Sequence, residues 1–399
     1  MTTVPLLRTS LLNNRVVQMI LASALFLQIG VWVRNFAVLL YVTEQTNADP
    51  LAVSLIAVAE YLPIFLLSFI GGTFADRWPP KRTMVCSDLL SAVSVFAVLF
   101  AMSFGGWKAV FAATLISSAL SQFSQPAGLK LFKQHVPSHL VQTGMSLYQT
   151  LFAVFTILGP VFGTFVYQQY GIAVSIGFVG IAFLLSAVCL LLLPPDRHTE
   201  AAPAGRILQE MRAGFRYIAD KPSLKTLGWC FVLAGLGLGI IQPLAIFLVT
   251  ERLGLPKEYL QWLMAASGTA MLAGSAFVTA VSRKLPAERV LSLGMAVCSA
   301  GILLSGLSTN LILTLVSQVV FGLSVPAIHI GIHTIVLKNA DESLVGRVNG
   351  FLTPLYMAAH LFSMGAAGWI KGYVPISAMY VAASVFFLIA FYISGFGRR

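Results

Sequence analysis

Two charged side chains lie inside long apolar stretches of this sequence, where a charge is costly. Arg34 lies about eight residues before one stretch ends at Val42, and Glu60 about nine residues after the next begins at Leu51. At a helical rise of 1.5 Å per residue, both lie roughly 12 to 13 Å below the same surface. A charge within a membrane helix costs about 2.5 to 3.5 kcal/mol unless it is paired or hydrated. Two antiparallel helices would therefore bring a guanidinium and a carboxylate to one level.

This pair has two chemical interpretations. Burial disfavours the charged form of Glu60 and a nearby Arg34 favours it, so the carboxyl could take up and release a proton as that contact changes. The same carboxylate could attract a cationic compound. Alternatively, the two residues form a static ion pair that holds two helices together. The sequence leaves both interpretations open.

Other polar and aromatic side chains lie within or beside the same apolar stretches. Buried amides and histidines are expensive against lipid and should face a cavity or another helix. Each aromatic residue, taken singly, is more typical of helix packing, and so is a histidine in the middle of a span. The candidates for cavity-lining residues are Gln28, Trp32, Asn35, Phe36, Tyr61, Tyr148, Gln149, Gln242 and His360.

The sequence offers little for metal or enzyme chemistry. His329 and His333 are four residues apart and share a helical face, but no third metal ligand accompanies them. We find no phosphate-binding glycine loop, no H-E-x-x-H and no G-x-S-x-G motif. We therefore expect no metal, no cofactor other than protons as the coupling ion, and no enzymatic activity.

The composition explains why buried charges matter here. Of 399 residues, 58% are hydrophobic and only 10% are charged, whereas a soluble protein carries about 25% charged residues. The mean hydropathy is +0.86. These values exclude a disordered chain and a small disulfide-rich domain. The chain must therefore be solvated by lipid.

Apolar stretches long enough to cross a bilayer, about 20 residues each, recur along the whole chain. They predict an all-α membrane protein with twelve transmembrane helices in two six-helix halves. The predicted spans are 16–42, 51–73, 83–104, 108–129, 140–166, 172–193, 226–249, 259–281, 289–308, 311–336, 348–370 and 376–396.

The net charge of +11 is explained by membrane topology. With the N-terminus inside, 20 of the 25 Lys and Arg residues fall in loops on that side and four on the other. Positive residues stay on the cytoplasmic side of membrane proteins. We therefore expect both termini in the cytoplasm, a place in the cell (plasma or inner) membrane, contact with the lipid bilayer, and no nucleic-acid partner.

One long connection divides the chain. The predicted parts are an N-terminal half over 1–193, a cytoplasmic linker over 194–225 and a C-terminal half over 226–399. Within the linker, Ile207, Met211 and Phe215 follow helical spacing, which predicts a short amphipathic helix on the membrane surface. Two equal halves are typical of secondary transporters with a central site.

The loop after the second span, Gly71 to Arg82, resembles the cytoplasmic signature of the major facilitator superfamily. Pro79 replaces the usual glycine, and Pro80 replaces a basic residue. The resemblance implies a latch that holds the outward-open state. From the residues themselves, Asp76 can accept hydrogen bonds from a helix N-terminus, and Asp88 on the next span is expected to brace Lys81, Arg82 or a helix end rather than bind substrate. The alternative is a merely basic loop placed by the charge rule. The latch residues are Gly72, Asp76, Arg77, Lys81, Arg82 and Asp88.

The fifth span carries Gly159, Pro160 and Gly163, similar to a pattern in exporters of that superfamily. Glycines permit close helix approach, and proline permits a bend. Segments 121–126, 209–215, 322–326 and 346–348 resemble the macrolide-efflux branch in particular. The resemblance implies export rather than uptake.

Together these features predict a proton-coupled exporter of amphiphilic or lipophilic small molecules, of the multidrug or macrolide efflux type. We expect it to work as a monomer by alternating access. The alternative is an exporter of a lipid or siderophore, in which Arg34 contacts the anionic group. A receptor or scaffold has no need of two six-span halves with a latch.

Overall fold

The computed structural model describes residues 14–104, 108–136, 138–196, 215–341 and 344–396. These residues form helices and short connections, with no strand among them. The N-terminal helices are α1 (Arg15–Gln45), α2 (Pro50–Arg77), α3 (Pro80–Ser103), α4 (Ala109–His135) and the long helical stretch Ser138–Leu191. The C-terminal helices are α7 (Pro222–Phe247), α8 (Leu260–Ser282), α9 (Ala287–Leu307), α10 (Leu311–Asn339), α11 (Val345–Lys371) and α12 (Ile376–Phe396).

The long stretch Ser138–Leu191 contains two helices. At Gly171 the backbone leaves the helical region, with φ 72° and ψ −177°. A positive φ is disfavoured for residues with a side chain, so glycine suits this break. The break separates α5 (138–170) from α6 (172–191). The described residues thus form twelve long helices, in the order that the twelve predicted spans require.

Several helix boundaries follow from local sequence. Pro80 and Pro222 stand in the first turns of α3 and α7, where a missing backbone N–H costs nothing. Asn310 caps α10, because its side chain accepts hydrogen bonds from the backbone N–H groups of Ile312 and Leu313 at 2.9 and 3.3 Å. These caps set where the membrane helices begin.

Nine described helices are long and apolar enough to cross a membrane. One of them, Val141–Leu191, has 51 residues and contains both α5 and α6. The apolar part of α4 is shorter and covers Ala109–Ser124. The prediction of an all-α membrane protein is confirmed, with α4 and α11 as its least apolar helices.

The chain divides into two compact units. The first unit comprises Met1–Gln45 with Ala59–Ala204, and the second comprises Thr46–Val58 with Gly205–Arg399. Residues 50–58 of α2 therefore group with the C-terminal helices. In the first unit α1 packs along the stretch that contains α5 and α6, and α3 packs on α4 and α6. In the second unit α7 packs on α11 and α12, and α10 packs on α8 and α9.

The predicted amphipathic helix of the linker lies mostly outside the described residues. Ile207 and Met211 belong to the part that the structure does not describe. Residues 215–220 are helical. The Phe215 ring lies 5.4 Å from the Phe351 ring of α11, so this short helix packs on the second unit.

Candidate functional site

The predicted charged residues meet in the first unit through a third side chain. Arg34 on α1 is 3% exposed. Its Nε and Nη2 donate to the Oδ1 of Asn35 at 3.1 and 2.9 Å. The Nδ2 of Asn35 donates to the Oε1 of Glu60 on α2 at 2.7 Å. The cluster Arg34–Asn35–Glu60 therefore joins a cation and an anion through one amide.

This arrangement corrects the predicted direct contact between guanidinium and carboxylate. The carbonyl oxygen of Asn35 faces the positive group and its N–H group faces the negative one, so the amide dipole favours both charges. Hydrogen bonds to charged groups are roughly twice as strong as neutral ones. Removing the amide would leave the buried guanidinium and the half-buried carboxylate without these partners, at about 1–3 kcal/mol each. Asn35 is thus part of the site rather than one wall of a cavity.

The exporter-like glycines of α5 lie against the face of α1 next to this cluster. A Cβ on Gly159 would lie 2.3 Å from the Trp32 ring, and a Cβ on Gly163 would lie 2.7 Å from the Trp32 carbonyl oxygen. The Trp32 and Phe36 rings stack, with centroids 6.1 Å apart. The glycines permit the close approach that was predicted. Trp32 and Phe36, predicted to line a cavity, are instead placed by helix packing.

Asp88 on α3 differs from its predicted role. It is 2% exposed, and its Oδ2 accepts a hydrogen bond from the Ser186 hydroxyl on α6 at 2.6 Å. The Ser186 oxygen lies 2.8 Å from the Ser23 hydroxyl on α1. Because these partners lie inside the bundle, the predicted brace on Lys81, Arg82 or a helix end is wrong. Asp88 connects three helices of the first unit.

The basic end of the latch sequence makes a different contact. Asp196, which follows α6, accepts hydrogen bonds from the backbone N–H groups of Lys81 and Arg82 at 2.9 and 3.4 Å. The Lys81 ammonium donates to the backbone carbonyls of Leu191 and Leu193. An acid thus lies at the N-terminus of α3 and a cation at the C-terminus of α6, where the helix dipoles favour them.

Sequence reasoning did not single out Asp196. A signal for it is present, because an acid directly after Pro194 and Pro195 at the end of a span can reach the start of a neighbouring helix. The other latch residues, Gly72, Asp76 and Arg77, lie in the last turns of α2, and their side chains fall outside the described part of the structure.

The remaining predicted cavity residues of the first unit are dispersed. Tyr148 packs on Phe132 and Phe152 with ring centroids 5.8 and 4.9 Å away, and so belongs to an apolar cluster of α4 and α5. Gln28 is buried, Tyr61 is half-buried and Gln149 is exposed. None of these four is among the hydrogen-bond partners described for the Arg34–Asn35–Glu60 cluster.

In the second unit, His360 on α11 lies at a close helix crossing. Its ring stacks on Tyr356 at 5.5 Å and hydrogen-bonds the backbone of Gly235. A Cβ on Gly239 would lie 2.2 Å from the His360 carbonyl oxygen. These contacts favour the packing interpretation of His360. Gln242 on α7 is exposed.

The two histidines considered for a metal site are exposed on α10. In the part of the chain that the structure describes, no group of three or more His, Cys, Asp or Glu side chains could hold a metal ion.

An apolar groove of about 620 Å³ lies between α8 and α10 in the second unit. Below it the two helices touch, because a Cβ on Gly322 would lie 2.2 Å from the Ser267 carbonyl oxygen. Trp262, 51% exposed, lies at the groove's end near the α8 N-terminus. Small residues of α8 and branched residues of α10 form the walls: Ala265, Ala266, Ala273, Leu315, Val319 and Leu323. The helical spacing of these alanines is the sequence signal for the groove, and the sequence predictions did not include it.

Two ion pairs connect elements of the second unit at the helix ends. The Lys371 Nζ lies 2.8 Å from Glu251 Oε2, with the lysine side chain 8% exposed. Lys221, just before α7, donates to the Tyr217 hydroxyl and to the Asn339 carbonyl. The hydrogen bond that Lys221 donates to Tyr217, followed by attraction to Asp341, raises the pKa of Lys221 above its ordinary value.

Two sets of membrane-crossing helices around buried charged groups define a multi-pass membrane protein of the transporter class. The family model of the Major Facilitator Superfamily matches residues 20–242 and again 227–398. The chain therefore belongs to the Major Facilitator Superfamily. The matches cover both halves, as the predicted repeat of six spans requires.

Named relatives agree with this assignment. The chain is 25% identical over 406 residues to the Uncharacterized MFS-type transporter YfiS of Bacillus subtilis, covering 97% of this chain and 94% of that protein. It is 27% identical over 365 residues to the Multidrug efflux pump Tap of Mycolicibacterium fortuitum, covering 86% of each. The predicted likeness to drug-efflux members of the superfamily is confirmed.

Solved structures share the fold at low sequence identity. The nucleoside transporter NupG matches with a TM-score of 0.78 at 13% identity, over 96% of this chain and 100% of that one. The human organic anion transporter MFSD10 matches with a TM-score of 0.66 at 17% identity, over 95% and 99%. These similarities establish the transporter fold.

Proposed function

We propose that this transporter expels amphiphilic, lipophilic small molecules from the cytoplasm in exchange for protons. It lies in the cell membrane with both termini in the cytoplasm and works as a monomer by alternating access. The observation that carries the proposal is the Arg34–Asn35–Glu60 cluster. It holds a half-buried carboxylate that a neutral amide links to the buried Arg34 guanidinium.

The cluster supports an exchange of proton and cargo on one carboxylate. With Glu60 ionised, the cluster is neutral overall and can attract a cationic group. With Glu60 protonated, the positive charge of Arg34 is in excess and repels such a group. Proton and cargo therefore exclude each other, and each must bind the two transporter states unequally for coupling to result. The amide lets this charge change occur without breaking a direct ion pair.

The direction of transport and the cargo class have separate support. The Gly159 and Gly163 contacts with α1 have the close approach expected of the exporter-like motif. The similarity to a multidrug efflux pump favours a lipophilic cargo. The α8–α10 groove has apolar walls that suit the lipophilic part of such a compound.

A second candidate function is export of an anionic lipid or siderophore. It is favoured by one feature of the cluster: Arg34 donates to an amide oxygen and not to a carboxylate. The guanidinium therefore keeps its attraction for an anionic group on the cargo. In this case Arg34, and not Glu60, is the residue that transport needs most.

The test is transport by purified protein in proteoliposomes with an imposed pH gradient. The cargo is a cationic lipophilic dye. We expect wild type to move dye against proton flow and Glu60→Gln to fall to background, while gel filtration shows unchanged folding. Full coupling in Glu60→Gln overturns the proton assignment. A greater loss in Arg34→Ala than in Glu60→Gln, with an anionic lipid as cargo, supports the second candidate.

A further pair of variants tests the groove in the same transport assay. Ala266→Leu fills the groove, whereas Ala276→Leu adds the same bulk to an exposed position of α8 outside it. We expect only Ala266→Leu to reduce transport of the bulkiest dyes. Equal effects of the two variants would remove the groove from the cargo pathway.

A further inference from the structure

A second carboxyl, that of Asp88, is buried in the first unit away from the Arg34–Asn35–Glu60 cluster. On α3 it is about 12 Å from the helix start at Pro80, since eight residues rise 1.5 Å each. The predicted topology places that end in the cytoplasm. Glu60 on α2 is about 15 Å from the start of that helix at Pro50. The same topology places that end outside. The two carboxyls thus belong to opposite halves of the predicted membrane depth.

The partners of Asp88 are hydroxyl groups. Ser186 has one O–H, and it donates to Asp88 Oδ2. The Ser23 hydroxyl must therefore donate to the Ser186 oxygen 2.8 Å away. This chain delivers a single hydrogen bond to the carboxyl. An ionised carboxylate can accept about four hydrogen bonds, and burial with one neutral donor leaves most of its charge uncompensated.

Apolar side chains lie one turn before Asp88 among the described residues. Met84 and Val85 of α3 belong to a buried cluster. In that cluster α1 contributes Val17 and Ile20, α4 contributes Ala127, Leu131 and Phe132, and α6 contributes Leu190. The Asp88 carboxyl acts electrostatically on Tyr148 of α5, a titratable group that carries no positive charge.

The basic residues of the same helix are occupied elsewhere. The Lys81 ammonium binds the Leu191 and Leu193 carbonyls, and Arg82 is exposed. Among the described side chains, the hydrogen-bond donor to the Asp88 carboxyl is Ser186. Glu60, in contrast, has Arg34 within electrostatic reach.

We propose that Asp88 is a second proton-binding site of the first unit and holds its proton in this conformation. The bound proton makes the carboxyl neutral and so removes the charge that one hydroxyl donor leaves uncompensated. Loss of the proton leaves a buried charge between α1, α3 and α6 and loosens their packing. This inference does not depend on the role proposed for Glu60.

The first test is infrared spectroscopy of the purified full chain at neutral pH. A protonated carboxyl has a C=O stretch separate from the carboxylate bands. We expect Asp88→Asn to remove one such band and Ser186→Ala to shift it. The band should persist in Glu60→Gln, which separates this proposal from the proposed function. Loss of carboxylate intensity in Asp88→Asn, with no loss of an acid band, overturns the proposal.

The second test is thermal stability as a function of pH. The folded chain holds a proton at Asp88 that the unfolded chain releases, so raising the pH must destabilise the fold. Asparagine cannot ionise, and we expect the Tm of Asp88→Asn to gain on wild type as pH rises. Asp196→Asn, at a half-buried position, is the matched control and should show no such gain. A constant difference between Asp88→Asn and wild type at all pH values overturns the proposal.

Discussion

Two carboxyls of the first unit, the half-buried Glu60 and the buried Asp88, satisfy the same physical requirement in different ways. Glu60 has a cation nearby and reaches it through the Asn35 amide. Asp88 has no described cation and receives one hydroxyl hydrogen bond from Ser186. A group whose charge is balanced can change protonation when the balance changes. A group without a counter-charge keeps its proton until the surrounding helices part or the pH rises.

The difference teaches that burial alone does not identify a coupling residue. Both carboxyls lie on membrane helices. Of the two, Glu60 is the one with a charged partner among the described residues, and it reaches Arg34 through Asn35. Among variants that test this comparison, those that disturb helix packing around Glu60 should have the largest effect on stability. Those that change charges at the helix ends should have the smallest.

The packing of α1 on α5 supports the Glu60 site, and breaking it should have the largest effect on stability. Gly159→Ala brings a Cβ to 2.3 Å from the Trp32 ring. We expect a loss of about 3 kcal/mol, the upper part of the usual range for overpacking. The matched control is Gly177→Ala, whose Cβ would meet Leu99 at an ordinary 4.0 Å. Equal Tm values for the two variants would contradict the close contact.

Removing the amide of Asn35 should separate the charges of the Glu60 site. We expect Asn35→Ala to lose about 2 kcal/mol of unfolding free energy, because the buried Arg34 and the half-buried Glu60 lose a hydrogen-bond partner. The optimum pH of transport should also move. Ser186→Ala is the parallel change at Asp88, and it should leave that optimum unchanged. An effect of Ser186→Ala on the optimum as large as that of Asn35→Ala would erase the distinction between the sites.

The N-terminus of α3, the helix that carries Asp88, is stabilised by Asp196. We expect Asp196→Asn to cost about 0.3–1 kcal/mol, the range for a charge at a helix terminus. The loss should shrink at high salt, because the partly exposed carboxylate is screened. Chemical unfolding at two salt concentrations measures this, and a salt-independent loss would rule out the electrostatic explanation.

The fourth and smallest expected effect concerns Lys221. Its loss of stabilisation at alkaline pH could be mistaken for the effect of Asp88. The pKa of Lys221 is raised in the fold, mainly by Tyr217, so its contribution is present below the ordinary lysine pKa and is lost as pH rises through the folded value. We expect Tyr217→Phe to weaken this alkaline dependence slightly. Combined with Asp88→Asn, the two changes should add, and non-additive Tm shifts would show that the two groups are coupled.

The sequence predicted the fold well because membrane helices need long apolar stretches. It also predicted that Arg34 and Glu60 lie at similar depth, since depth follows from residue spacing. It did not predict Asn35 between them, because successive residues on a helix point in different directions. Only the structure shows that the Arg34 guanidinium donates to the side chain of the next residue. The partners of Asp88 and the role of Asp196 join residues about 100 or more positions apart, which spacing on one helix cannot reveal.

Proton release during cargo binding tests the central claim most directly. Purified protein in weakly buffered detergent solution receives a cationic lipophilic dye, and the pH of the solution is followed. If Glu60 exchanges a proton for cargo, wild type and Asp88→Asn release protons on binding and Glu60→Gln releases none. Undiminished release from Glu60→Gln would contradict the account.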